Sequence, residues 1–449
     1  MHQKRILAVH DISCVGRCSL TVALPIISSV GIECSVLPTA VLSTHTGGFQ
    51  GFTYRDLTED IDPIREHWMS LGLKMDAVYT GFLGSFDQID LVCKLLDDIS
   101  SKDTKVYVDP VMADKGKLYS VFGPDFPAGM RKLCEKAHVI IPNLTELTLM
   151  LDEPYVEGPY TQEYIDGILE RARVFGTERI VITGVSFEEG MIGAVYMDYT
   201  DGKKGCHMRP EIPGYFHGTG DVFGSALVSA CESGLTLDEA VCCAVDFTVD
   251  SIIATNEAGD DVKYGVRFEE NLYAFVGEVL SLRDKPALYT AVNDEDLKVV
   301  ESLAGIVWKE AYEGVVSPEQ IEYMLDKYQS LPALQQQLKD GYRYDVMAIA
   351  GWAIGYCGYV AVPDQGHVFL SKLYLIDECR GRGHSRMFLD SVIAYARSQN
   401  LGRIRLTVNR DNTDAIEVYN HLGFKVIEDV DTDIGSGFFM NDHVMELVI

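Results

Sequence analysis

Residues 217–230 read HGTGDVFGSALVSA, a Gly-Thr-Gly turn that delivers an acid onto an apolar run. Phe223, Ala226, Leu227, Ala230 and Cys231 recur at helical spacing, so a helix is expected to begin near Asp221 with its apolar side on a core. Gly218 and Gly220, with Thr219 between them, let bare backbone N–H groups converge. Together with the positive end of the helix dipole these groups form an anion hole suited to phosphate. Asp221 would then stand beside the anion as a base for an incoming hydroxyl. The structural alternative is that Asp caps the helix and Gly-Thr-Gly is only a tight turn.

Phosphoryl transfer needs an anion hole, carboxylates and a base in one place. DPVMADKG (109–116) supplies Asp109 and Asp114, and PNLTE (142–146) supplies Glu146. Each also has a plain reading, as a turn cap around Pro110 or Gly116 or as an acid in a first helical turn. Their order along the chain favours a shared site.

Such residues need a frame to bring them together. From Arg5 onward, apolar runs (RILAV, IECSVLPT, DAVYTG, KVYVDP, HVIIPN, RIVITG) alternate with helical stretches such as SLTVALPIISSVG. Each run ends in a turn or polar residue, as parallel strands do where they open on a ligand crevice. Asp109, Asn143 and Thr183 fall at those ends. An α/β domain is therefore expected to close by about residue 285. The charged, Pro-containing stretch SLRDKPALYTAV then leads to a new strand and an amphipathic helix, which sets a boundary near Pro286 and domains at 1–286 and 287–449.

The 449 residues are too many for one ordinary core. A composition of 47% hydrophobic and 23% charged residues describes a globular chain, and a formal charge of −29 argues against a nucleic-acid partner. No apolar run approaches the roughly 18 residues of a membrane span, so no membrane partner is expected. The 11 cysteines lack zinc-site spacing and are read mostly as buried reduced thiols, which suits the cytoplasm. The acidic EDVDTD near the end is read as a solvated turn.

ILAVHD, STHTGGFQGF, TGFLGS, DPVMADKG, PNLTE, VITG and GTGD, in this order, resemble the pyridoxal/pyridoxamine kinases of the ribokinase-like superfamily over roughly residues 4–280. The resemblance implies a three-layer α/β domain with a mainly parallel central sheet. It also implies phosphorylation of a B6 hydroxymethyl group, with Asp221 as base and the amides of Gly218, Thr219 and Gly220 on the transferring phosphoryl group. Glu146 and Asp114 would serve the metal, Asp109, Asp114 and Thr183 the nucleotide phosphates, and Asp11, Thr46 and Gly81 the substrate. ATP and Mg²⁺ follow as cofactors, with K⁺ as in relatives, and a homodimer is implied. One departure is Asp11, where B6 kinases usually carry serine. An aspartate there looks more like the hydroxymethylpyrimidine kinases, which keeps that substrate as the alternative.

Further on, CRGRGHS precedes an amphipathic helix with Met387, Phe388, Val392 and Ile393 at core spacing, and RIRLTVNRDNTDAIEVYNHLGFKVI reads strand, turn, short helix, strand. Glycines there admit a pyrophosphate to helix-start amides, although they also fill ordinary turns. The two blocks resemble the GNAT N-acetyltransferases, an α+β fold, over roughly residues 288–449. The resemblance implies acetyl-CoA bound by Arg380, Gly381, Gly383, Ser385 and Asn412, with Tyr419 protonating the departing thiolate. Ser385 departs from the usual Gly or Ala, and Tyr419 also reads as a core aromatic. Glu310, Tyr312 and Glu313 are candidate acceptor-site groups, or simply a solvated helix face. No general base is identifiable, so a non-catalytic acetyl-CoA-binding module is a further alternative.

Overall fold

The structure, a computed structural model, describes residues 3–312 and 314–449, so Glu313 lies outside the described residues. The chain divides into two compact units, Met1–Arg283 and Asp284–Ile449.

The apolar runs of the first unit form strands β1 (Arg5–Ser13), β2 (Glu33–Leu42), β3 (Tyr54–Asp56), β4 (Ala77–Thr80), β5 (Lys105–Val108), β6 (Ala113–Asp114), β7 (Lys117–Leu118), β8 (Val139–Ile140), β9 (Arg179–Val185), β10 (Met191–Asp198) and β11 (Lys204–Pro210). Nine of them build one sheet in the order β11-β10-β9-β8-β5-β4-β1-β2-β3, while β6 and β7 form a separate hairpin. From β9 to β2 every neighbouring pair is parallel. The outer strands β3, β10 and β11 run antiparallel to their neighbours.

Both faces of this sheet are covered, which is why its strands are apolar throughout rather than alternating. Ile6 and Ala8 face a core built with α1 (Leu20–Ser29), α7 (Thr219–Glu232), α8 (Leu237–Ala258) and α9 (Leu272–Arg283). Leu7 and Val9 face the opposite core, built with α2 (Thr58–Ser70), α3 (Phe86–Ile99), α4 (Phe126–Cys134), α5 (Leu144–Leu151) and α6 (Gln162–Arg171). The result is the three-layer, mainly parallel fold that the sequence led us to expect.

The second unit holds β12 (Ala287–Thr290), α10 (Asp294–Tyr312), α11 (Pro318–Gln329), α12 (Leu331–Lys339), β13 (Arg343–Ile349), β14 (Trp352–Val362), β15 (His367–Leu375), α13 (His384–Ser398), β16 (Arg403–Asn409), α14 (Thr413–His421), β17 (Lys425–Gly435) and β18 (Phe438–Val448). Its seven-stranded sheet runs β12-β13-β14-β15-β16-β18-β17. Only β15 and β16 are parallel, and they pair over just Val368–Phe369 and Ile404–Arg405. Beyond that point they separate. Ser371 is an extra residue in β15 against β14, and such a bulge bends a strand away from its neighbour.

Two expectations need correction. EDVDTD is not a turn but part of β17, an edge strand paired with β18 along its length. Its acids point outward, and charge on an exposed edge discourages pairing with another chain. Every cysteine is a free thiol, but only Cys18, Cys134, Cys243 and Cys357 are fully buried, with Cys14 and Cys206 exposed. No described helix is long and apolar enough to cross a membrane.

Candidate functional site

Helix α7 begins at Thr219, two residues earlier than expected, and its N-cap is Gly218. Asp221 is therefore the third helical residue, and no side chain caps this helix. The first helical bond is Val222 N–H to the Gly218 carbonyl, at 3.0 Å. The preceding amides have no partner within the helix.

Gly218 is fixed by two constraints. Its φ is +77°, and a Cβ there would stand 2.1 Å from the Arg17 carbonyl oxygen. Gly220 has open space around it, which lets an anion approach the backbone.

These residues line a cleft of about 450 Å³ that also collects Asp109, Asp114, Asn143, Glu146 and Thr183. The strands explain the convergence. Asp109 follows β5, Asn143 bridges to Thr183 of β9, and the Asp109 amide donates to the Thr80 carbonyl at the end of β4, at 3.0 Å. Phe223, Val245, Val249 and Ile252 give the cleft an apolar wall.

Glu146 closes a capping box with Asn143 at the start of α5. Its Oε2 accepts from the Asn143 amide at 2.9 Å and its Oε1 from the Met112 amide at 3.1 Å. Burial nonetheless pushes its carboxyl up to about 8. Asp109 is held well above the usual carboxylate range by burial, then by Glu146 and Asp221. Asp221 keeps part of its surface open, and desolvation raises it to about 7. Uncompensated carboxylates at such depth call for a cationic counterpart.

Among the described residues no group of three or more acids, His or Cys is arranged to hold a metal alone. One or two carboxylates completed by water and ligand phosphates is the donor set Mg²⁺ ordinarily takes, and Asp114 with Glu146 fits it.

Asp11, Thr46 and Gly81 are not in the lining of this cleft. Asp11 is buried in β1, where its oxygens accept from the hydroxyls of Ser19 at 2.6 Å and Ser13 at 3.3 Å. The Ser19 amide in turn offsets part of the burial that raises the Asp221 carboxyl. Thr46 is exposed in the loop after β2. A Cβ on Gly81 would land 2.2 Å from the His10 ring, so packing against that buried imidazole accounts for the glycine.

The sequence reading missed the groups around Thr46. His45 Nε2 donates to the Lys263 carbonyl at 2.6 Å and its Nδ1 accepts from the Gly47 amide at 3.2 Å, which fixes one neutral tautomer. Its ring lies 5.1 Å from that of His217 and 5.0 Å from that of Phe49, and Tyr264 is 5.3 Å beyond Phe49. HTGGF was the available signal, since it contains both His45 and Phe49.

In the second unit, Gly381 (φ +72°) and Gly383 (φ +81°) lead into α13, with Gly383 as N-cap and Ser385 as the second helical residue. Neither glycine has a neighbour where a Cβ would project. Arg380 shapes this loop by donating to the Leu375 carbonyl, Asp377 and Glu310, at 3.0, 3.1 and 3.0 Å. Glu310 is thus an ion-pair partner. Asn412 caps α14 by accepting from the Ala415 amide at 3.1 Å. The Tyr419 ring packs 5.8 Å from Phe424, its hydroxyl has no hydrogen bond among the described residues, and burial and the nearby Tyr312 hold its phenol protonated. Tyr312 is not on a solvated face: its hydroxyl lies 3.1 Å from that of Tyr374.

The family described as phosphomethylpyrimidine kinase matches residues 25–265, more than half of the chain. The chain belongs to that family. Its second unit carries a GNAT acetyltransferase domain, whose family matches residues 306–424. The kinase-family unit is similar to a solved putative phosphomethylpyrimidine kinase from Bacteroides thetaiotaomicron, in a crystal form with pyridoxal. That likeness has 37% identity and a TM-score of 0.59, covering 61% of this chain and 96% of that one. It is also similar to the pyridoxine kinase of Bacillus subtilis, 28% identical over 202 residues, which are 43% of this chain and 70% of that protein. The GNAT unit is similar to the spermidine N(1)-acetyltransferase of Thermoplasma acidophilum, 28% identical over 151 residues, covering 32% of this chain and 90% of that protein.

Proposed function

We propose that the kinase-family unit transfers the γ-phosphoryl group of ATP to the hydroxymethyl group of a B6 vitamer, pyridoxal, pyridoxamine or pyridoxine. The observation that carries this reading is the single cleft that holds Asp221 beside the unpartnered amides of α7. Asp221 takes the hydroxyl proton as the new O–P bond forms and the bond to the ADP oxygen breaks. The amides of Gly218, Thr219 and Gly220 receive the charge on the phosphoryl oxygens. Asp109 and Thr183 border the phosphate chain. Mg²⁺, held through Asp114 and Glu146 and water, would supply neutralising charge on the phosphates.

The planar ring of the substrate fits the His45, Phe49 and His217 wall, next to Thr46. Pyridoxal in the Bacteroides crystal form and the Bacillus pyridoxine kinase support a B6 substrate. Hydroxymethylpyrimidine is the second reading, motivated by Asp11 and by the name of the family. The two serine hydroxyls that already engage Asp11 weigh against it as a direct ring contact. Competing the two alcohols by kcat/KM decides the matter, and the B6 reading fails if the pyrimidine is preferred.

For the GNAT unit we propose acetyl transfer from acetyl-CoA to a primary amine. The pyrophosphate would meet Gly381, Gly383, Ser385 and the start of α13, with the pantetheine arm passing Asn412 and Tyr419 protonating the thiolate. The separation of β15 and β16 supports a thioester between them. Free CoA released with spermidine as acceptor tests this; binding without release would mark a non-catalytic module.

A further inference from the structure

Acetylation of an amine requires a group that removes a proton from nitrogen, and the sequence motifs name none. The unit's buried charges point to one. Asp442 lies in β18, opposite Asn409 at the end of β16. It is 7% exposed, and its Oδ1 has no hydrogen-bond partner among the described residues. A carboxylate oxygen so placed is costly unless it awaits a ligand.

Its position relative to the separated strands is what gives it a role. In an antiparallel pair, opposed residues share a sheet face, so Asp442, Asn409, Thr407 and Val444 lie on one side. Tyr312, at the end of α10, feels the Asp442 charge and reaches the Tyr374 hydroxyl of β15 at 3.1 Å. Tyr419 comes from α14 and is electrostatically coupled to both Tyr312 and Tyr374. Asp442 and Tyr419 are thus both within electrostatic reach of Tyr312, and Asp442 stands opposite Asn409 at the end of β16 that has parted from β15. The groups facing Asp442 are Arg410, the Thr407 hydroxyl, His443 and Tyr312, with burial the largest influence and a raised carboxyl the outcome. Arg410 is itself paired with Asp431, and His443 with Asp429.

We propose that Asp442 is the general base of the GNAT unit and that its acceptor is a primary alkylammonium, which a buried carboxylate attracts. This rests on the acetyltransferase reading above. The ammonium first gives one proton to Asp442, which releases it to solvent. The freed lone pair then forms the C–N bond as the C–S bond breaks, Tyr419 protonates the CoA sulfur, and the second nitrogen proton passes to water, from which Tyr419 regains its own.

The experiment uses the full chain, spermidine and acetyl-CoA, with free CoA followed against pH and acetyl-CoA affinity measured separately. Asp442→Asn is expected to lower kcat by roughly 10²–10⁴ at pH 7 and to keep acetyl-CoA affinity within about threefold. The acidic limb of kcat/KM should move up to the range where the amine itself loses its proton, so that high pH, which supplies free amine, partly restores turnover. Asp442→Glu, which keeps a carboxylate, should retain activity within about tenfold and guards against a variant that merely fails to fold. Wild-type turnover and an unchanged acidic limb in Asp442→Asn would overturn this assignment alone. A wild-type chain that binds acetyl-CoA but releases no CoA with spermidine or other primary alkylamines would overturn it together with the acetyltransferase reading.

Discussion

The Ser19 hydroxyl donates to Asp11 Oδ1 at 2.6 Å, and the Ser19 amide offsets part of the burial that raises the Asp221 carboxyl. One residue thus ties a buried acid of β1 to the acid in the first turn of α7. Ser19 adopts φ +55°, an uncommon conformation for a residue with a side chain, and its hydroxyl is held by Asp11. Asp11→Ala should loosen Ser19 and so disturb Asp221. The expected kinetic signature is a lower kcat with ATP affinity kept, read by steady-state ADP release; a change confined to the KM of the alcohol would instead make Asp11 a substrate contact.

Gly218 and Gly220 should respond differently to alanine. Gly218→Ala forces a Cβ against the Arg17 carbonyl at positive φ, and a strain of about 1–3 kcal/mol is expected in denaturant unfolding. Gly220→Ala meets no atom within 4 Å and should fold with unchanged or slightly raised stability. Its effect should appear in turnover, because the methyl group would fill open space at the start of α7 where the phosphate is proposed to bind.

The elevated carboxyls of Asp221 (about 7) and Glu146 (about 8) give stability a defined pH dependence. Their folded values exceed the unfolded ones near 4, so the folded state binds more protons across that interval. The stabilising contribution is complete below pH 4 and is lost as pH rises through 7 to 8. Thermal unfolding of the ligand-free protein should show Asp221→Asn gaining Tm over the wild type above pH 7, and no gain near pH 4. ATP with Mg²⁺ should shrink the difference.

Much of this geometry was legible in the sequence because the motifs end strands. DPVMADKG, PNLTE and GTGD converge since β5, β8 and β11 point the same way, β11 through two antiparallel steps from β9, and the loops that follow them share one edge of the sheet. What was not legible depends on pairings far apart in the chain. Gly218 is explained by Arg17, Gly81 by His10, and the strand conformation of EDVDTD by its pairing with β18. Asp442 carries no local signal at all: its lack of a partner becomes visible only once β18 lies against β16.

In the second unit, Tyr419→Phe removes the proposed proton donor without removing the ring that packs near Phe424. CoA release with spermidine should fall by roughly 10²–10⁴, with acetyl-CoA affinity and Tm unchanged. A fall in Tm with normal turnover would make Tyr419 a core aromatic.

The most direct test of the account is ADP release by the full chain with ATP, Mg²⁺ and pyridoxal, comparing the wild type with Asp221→Asn. The expected result is pyridoxal-dependent ADP formation that drops by roughly 10²–10⁴ in the variant, while ATP binding and folding persist. A variant that turns over pyridoxal as fast as the wild type would contradict the assignment of Asp221 as the base beside the α7 amides.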